Sequence, residues 1–439
     1  MTFDSEELLK RLQTKDASLF TGETASNSLG WIDHPERYLG SWIDEVVAQL
    51  PTDTGRTILL GMGGSSSPAR FYAESTQNDS LHVLDTSSPD SISETDFSHA
   101  VAIASSKSGS TIETQTLLAH ALANGLTSDN LIVITDPGSA LVELGHSLGA
   151  LVIEGDPTTG GRFSAISPFG LIPALYAGWS PTALREEHAV FPFDSQLVAK
   201  ANDLATALTS ETGLLKFELT SDPLSSGSAL WLEQLIAETT GKDGRGLVPA
   251  WNGQRQPLKP REMMYWQLVA SLCARQLGVD PFNQPNVEIA KKSVLSLLAN
   301  TNIQPDLSGS RDEVKESFKS AAFREVNVYC AIEDHSSVAQ LRAAIANCFG
   351  ATAANIGPRY LHSTGQLFKG GPREITTLQV VVRPRSTPQR IAGRQYSFHD
   401  LFFAQANGDL QAMKSSQRSV FQVAVDDLSE VFEFLDLSS

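Results

Sequence analysis

Five short apolar runs, at 58–61, 81–84, 101–105, 131–135 and 151–154, constrain this chain more than any other feature of it. They are rich in Ile, Leu and Val, and helical patterns such as 114–123 and 139–147 separate them. Strands buried on both faces read this way, and their alternation with helices specifies an α/β fold built on a doubly wound parallel sheet. Ligands of such sheets sit outside the carboxyl ends of the strands. The loops that follow the runs are therefore where chemistry is expected.

The third run, VAIAS, breaks into a small-residue loop around one lysine, SKSGS, and then into TIET. Ser110 and Glu113 have the spacing of a capping box, so the strand delivers its loop onto a helix N-terminus. Unpaired N–H groups and the positive end of the helix dipole favour an anion there. The hydroxyls of Ser106, Ser108 and Thr111 and the amine of Lys107 would complete a phosphate cradle. An ordinary strand-to-helix turn with a solvated lysine fits the same residues, because the spacing is neither that of a P-loop nor that of a dinucleotide fingerprint. A matching corner follows the first run, where TILLG leads into MGGSSSP and Gly63-Gly64-Ser65 lets backbone approach a ligand closely.

Composition narrows the class. With 439 residues, 41% of them hydrophobic, the chain can fill two domains of ordinary size. A formal net charge of -17 with no basic stretch argues against a nucleic-acid partner. Cys273, Cys330 and Cys348 have no metal-ligand spacing and cannot all pair; each lies in an apolar context that suits a buried thiol in a reducing compartment. No apolar run approaches the roughly 18 residues that span a bilayer, and the N-terminus is acidic, so a cytoplasmic location is expected.

Beyond the fifth run, Gly160-Gly161 brings Arg162 to the end of the sheet, where it could equally be a surface turn residue. The second half is more helical, with strands expected at 216–219, 326–332, 378–382 and 420–425 and helices at 229–239, 261–277, 287–298, 314–322, 338–348, 399–413 and 428–435. Residues 1–30 read as a helical appendage and 396–439 as a tail without an assigned chemical role. The first domain, 31–185, should close near Gly178, before a linker containing Pro181, and the second should span 186–395.

Six segments carry a family resemblance. GMGGSSSP and SSKSGSTIET resemble the paired phosphosugar-binding motifs of the sugar isomerase (SIS) domain, in particular those of the glucose-6-phosphate isomerase family, and GGRFS resembles its GGRxS motif. Glu238-Thr-Thr-Gly-Lys242 is similar to Glu-x-x-Gly-Lys, Gln284-Pro-Asn-Val-Glu-Ile-Ala-Lys291 to Gln-x-x-Val-Glu-x-x-Lys, and Leu-His362-Ser-Thr-Gly-Gln366 to Leu-His-Ser-x-Gly-Gln. The resemblance implies two SIS-type αβα sandwich domains and an aldose-ketose isomerase needing no metal or other cofactor. Phosphate would be held by Ser65, Ser106, Lys107, Ser108 and Thr111, with Gly64 and Gln284 also at the substrate. His362 and Lys291 would open the sugar ring, Glu238 would move the proton between C2 and C1, and Arg162 would stabilise the cis-enediolate. Glu288 is expected to be structural.

The order Glu238, Lys291, His362 departs from the common family order, in which the histidine segment comes second. LHSTGQLFKGG resembles the isomerase half of bifunctional transaldolase/isomerase proteins, which shares the rearrangement; with no transaldolase half ahead of Met1, a free-standing isomerase is expected. The family also implies a homodimer with His362 supplied in trans. A dual phosphoglucose/phosphomannose isomerase fits the same residues. A silent sugar-phosphate sensor would have lost the acid and base, and an amidotransferase-type domain would need a glutamine-hydrolysing partner.

Overall fold

The computed structural model describes residues 4–52, 55–251, 253, 256–300 and 302–437, the side chains of Glu288 and Glu333 excepted. Strands β1 (Thr57–Gly61), β2 (Leu81–Leu84), β3 (Val101–Ser105), β4 (Leu131–Thr135) and β5 (Leu151–Glu154) coincide with the five apolar runs to within one residue. All pair in parallel, in the order β2-β1-β3-β4-β5. Alternation along each strand divides the core: Ile58, Leu60, Ala102, Ala104 and Val133 fill one face, and Leu59, Val101, Ile103, Ile132 and Ile134 the other. The winding reverses between β1 and β3. There Gly61 pairs with Ser105, so the two glycine- and serine-rich corners leave the sheet side by side at the topological switch point.

Strands β6 (Lys216–Leu219) and β7 (Val248–Trp251) form a small parallel pair. Strands β8 (Phe323–Tyr329), β9 (Thr352–Gly357), β10 (Ile375–Val382) and β11 (Ser419–Val425) form a second parallel sheet, ordered β11-β10-β8-β9. Both large sheets are therefore wound alike, as the α/β expectation requires. Two strands have no sequence signal: β7 contains Pro249, and β9, TAANIG, lies at a sheet edge and has one β-branched residue near each end of a run of small and polar ones.

Three expectations change. The segment at Pro181 is the helix Pro181–Ala189, with proline in its first turn and the Ser180 hydroxyl accepting from Ala183 N–H, so it is not an unstructured linker. Leu8 and Leu12 of the N-terminal helix Ser5–Gln13 are buried in the core shared by the helices Ser195–Thr209 and Met263–Leu277. The C-terminal residues build into both sheets: β11 pairs along β10, and Phe398, Leu401 and Ala404 of the helix Phe398–Ser415 join the core beside β1 and β3. Cys273 and Cys330 are buried free thiols, whereas Cys348 is exposed. No helix among the described residues is long and apolar enough to cross a membrane.

Candidate active site

A cavity of about 340 Å³ opens at the switch point of the first sheet. Its lining includes Gly64, Ser65, Lys107, Ser108, Thr111, Arg162, Glu238, Gln284, Lys291 and His362. Of the site residues read from sequence, Ser106 alone stands behind the lining, its buried hydroxyl donating to Thr111 Oγ1 at 2.9 Å. The glycine corner fits no larger residue: a Cβ on Gly64 would lie 2.2 Å from Gly161 O, and one on Gly63 (φ +55) 2.4 Å from His362 O.

At the serine-rich wall, the helix Ile112–Ala123 starts from Thr111 with no side-chain cap. Its first N–H groups are thus left for a ligand, and the expected capping box is absent because Glu113 turns inward instead. Lys107 donates to Asp136 Oδ1 at 2.6 Å and to Asp156 O at 2.7 Å. Burial pulls its amine down, against the opposing effect of Asp136. Its charge is therefore shared with a carboxylate, and the hydroxyls and backbone must carry much of any anion.

At the opposite wall, the helix Gly227–Thr240 is buried all round and carries Glu238 near its C-terminus. Arg162 Nη1 lies 3.2 Å from Glu238 Oε1, with both side chains buried. The guanidinium is pinned by Thr239 Oγ1 (3.1 Å) and the carbonyls of Pro281 (2.5 Å) and Asn283 (3.0 Å). Burial, and secondarily Arg162, push the nearby Lys242 amine down to about 6, so it is neutral at pH 7 and leaves Arg162 as the cation facing Glu238. One turn before Glu238, Gln234 donates to Glu238 Oε2 (3.1 Å) and to His362 O (3.0 Å) while accepting from Ser67 Oγ (2.6 Å).

His362 ends the turn Arg359–His362. Its Nε2 meets Glu113 Oε1 at 2.7 Å. Burial raises the Glu113 carboxyl, but the charge and hydrogen bond of His362 outweigh it and hold the group below the usual range. Gln405, from the C-terminal helix, donates to the same oxygen at 2.5 Å. That helix also carries Asp409, which receives Lys369 Nζ and Gln379 Nε2 at 2.5 Å each, and the Tyr360 hydroxyl, all fully buried. The tail thus anchors the histidine segment at both ends.

Gln366 explains how segments in an unusual order converge. Its amide donates to Gly241 O (3.0 Å), just past Glu238, and to Asn286 Oδ1 (2.9 Å), and its oxygen accepts from Asn286 N–H (3.1 Å) at the start of the Lys291 helix, Val287–Leu297. One side chain of the histidine motif therefore ties down the other two motifs. His362 lines the cavity of its own chain. Glu113, Gln234 and Gln405 went unnoticed in sequence as site residues; only Glu113 had a signal, its place in SSKSGSTIET, and it was assigned to capping. Among the described residues no group of three or more His, Cys, Asp or Glu side chains could hold a metal.

No protein-family model matches the chain. It is 31% identical over 271 residues to the glucose-6-phosphate isomerase of a Thermus thermophilus strain, covering 55% of this chain and 60% of that one. The Campylobacter jejuni enzyme of the same name is 28% identical over 205 residues (42% and 50% covered), and that of Enterococcus faecalis 26% over 295 (56% and 65%). The chain therefore spans half to two thirds of the length of these relatives. Among solved structures, a glucose-6-phosphate isomerase from Chlamydia trachomatis aligns with a TM-score of 0.47 at 17% identity, over 66% of this chain and 77% of that one. A hypothetical protein from Thermus thermophilus aligns with a TM-score of 0.43 at 21% identity, over 98% and 85%. In sequence, the chain is similar to glucose-6-phosphate isomerases over about half its length.

Proposed function

We propose that this protein interconverts glucose 6-phosphate and fructose 6-phosphate. The observation that carries the reading is the joint presence of Glu238, Arg162, Lys291 and His362 in one cavity with Ser65, Ser108 and Thr111. The 6-phosphate binds to these hydroxyls and to the uncapped N–H groups of the helix Ile112–Ala123, and that remote contact orients C1 and C2. His362, backed by Glu113, exchanges the proton of the ring oxygen and, with Lys291, opens the ring. Glu238 takes the C2 proton and returns it to C1, while Arg162, already fixed by three hydrogen-bond acceptors, stabilises the enediolate without reorganising.

The test is a coupled assay from fructose 6-phosphate to glucose 6-phosphate. Glu238→Gln keeps the shape of the carboxylate and loses the base, so turnover should fall by at least ~10²-fold while substrate still binds. Near-normal turnover would remove Glu238 from the role. Activity should also survive a chelator.

The reading extends to a cytoplasmic location, supported by three unpaired cysteines, and to a homodimer whose sites are each completed by their own chain. Co-expressing Glu238→Gln with His362→Ala should then recover nothing, because every site carries one lesion. Recovery of about a quarter of wild-type activity in a randomly paired mixture shown to contain mixed dimers would return the histidine to the partner.

A further inference from the structure

A second polar cavity, of about 520 Å³, lies beyond the carboxyl ends of β8 and β9, between the helix Ser67–Thr76 and the N-terminus of Gly227–Thr240. It shares no residue with the catalytic cavity. Arg70, His82, Ser225, Ser226, His335 and Arg359 contribute polar groups to its wall.

Its cations are not spent inside the protein. Arg359 is 7% exposed, and its side chain makes no hydrogen bond or ion pair with any described residue. Asp85 attracts it through space, but that carboxylate is already bridged by Arg70. His335 Nε2 is buried and also lacks a partner. Arg70 engages Asp85 through Nε (3.0 Å) and Nη2 (2.7 Å) and Val83 O through Nη2, which leaves its Nη1 uncommitted. The nearby carboxylates do not fill the gap. Glu74 accepts from Ser228 N–H (2.8 Å) and the Ser226 hydroxyl (3.1 Å), Asp79 lines the cavity without reaching Arg359, and burial pushes the Glu233 carboxyl up to about 8, so it is neutral at pH 7. A guanidinium buried without an anion of its own is costly, and its planar fork matches the oxygens of a tetrahedral anion.

We propose that this cavity binds a phosphate-bearing anion, as inorganic phosphate or as the phosphoryl group of a metabolite, at a site separate from the catalytic one. Arg359 supplies charge, the unpaired Nη1 of Arg70 a further donor, and His335 Nε2 a polar contact. Arg359 also opens the short turn that ends at His362, so an anion held here bears on the backbone that delivers the catalytic histidine.

Equilibrium dialysis of the full chain against radiolabelled inorganic phosphate tests the site whatever the protein catalyses. Wild type should retain at least one phosphate per chain. Arg359→Met should weaken one of them at least tenfold and Arg359→Lys by less, whereas Lys107→Ala, at the other cavity, should leave that one unchanged. In phosphate-free buffer Arg359→Met should melt at or above the wild-type temperature, since an uncompensated buried cation is gone, and added phosphate should raise the melting temperature of wild type more than that of Arg359→Met. Should Arg359→Met not fold, His335→Phe is expected to weaken phosphate several-fold. Retention of no phosphate by wild type, or equal retention by wild type and the folded variants, would overturn the site. To separate the sources, a non-substrate phosphate monoester is then competed against the label: displacement admits a metabolite, and its absence restricts the site to free phosphate.

Discussion

The first sheet is apolar within and polar at its rim, whereas the second carries its polar groups inside. TILLG, VAIAS and LIVIT in β1, β3 and β4 bury almost nothing but hydrocarbon, and the chemistry sits on the loops beyond them. Strands β8 and β10 are as completely buried, yet contain Glu325, Asn327, Thr377 and Gln379. There Thr377 Oγ1 donates to Glu325 Oε2 (2.5 Å), Asn355 bridges Glu325 and Asn327, and Thr364, two residues past His362, donates to Asn355 Oδ1 (3.2 Å). Burial lifts the Glu325 carboxyl to about 8, so it is protonated at pH 7 and adds no charge. The rim of one sheet thus offers donors to a ligand, and the interior of the other holds a loop in place. Changes at the rim should alter binding with the fold intact, and changes in the interior should alter the fold first.

The largest effect is expected from Asp409→Leu, which strands the Lys369 ammonium at 1% side-chain exposure. Removing one partner of a buried pair costs about 3–5 kcal/mol. Denaturant unfolding reads this directly, and a loss below about 1 kcal/mol, well under that cost, would mean that the polar interior is not structural. Gln405→Leu comes next. It deletes one donor to Glu113 without touching the cavity wall's charges, so stability should fall by about 1–3 kcal/mol and turnover by about tenfold, the kinetic worth of one hydrogen bond. Turnover equal to wild type in a folded Gln405→Leu protein would detach the C-terminal helix from the histidine's work. The smallest change in stability belongs to the rim: Lys107→Ala should cost about 1 kcal/mol or less, since Asp136 is partly exposed and can take up a proton, while the Michaelis constant rises more than turnover falls. A variant that lost several kcal/mol with an unchanged constant would erase the distinction between the two sheets.

This contrast also accounts for what could be read in advance. The amino-acid sequence alone determined the positions of β1 to β6 and the two glycine- and serine-rich corners, and it singled out Arg162, Glu238, Lys291 and His362, because apolar periodicity, turn residues and short motifs are local signals. Only the tertiary structure decided that Glu113 faces His362 instead of capping its own helix, that Gln366 gathers three segments out of their usual order, and that His362 reaches the cavity beside Glu238 and Lys291. It also decided that β9, with its weak TAANIG pattern, is a strand at all, and that Cys348 is exposed while Cys273 is not. Each of these depends on which distant segments pack together, over separations as long as the 292 positions between Gln405 and Glu113, and such pairing leaves no periodic trace in either partner's own neighbourhood.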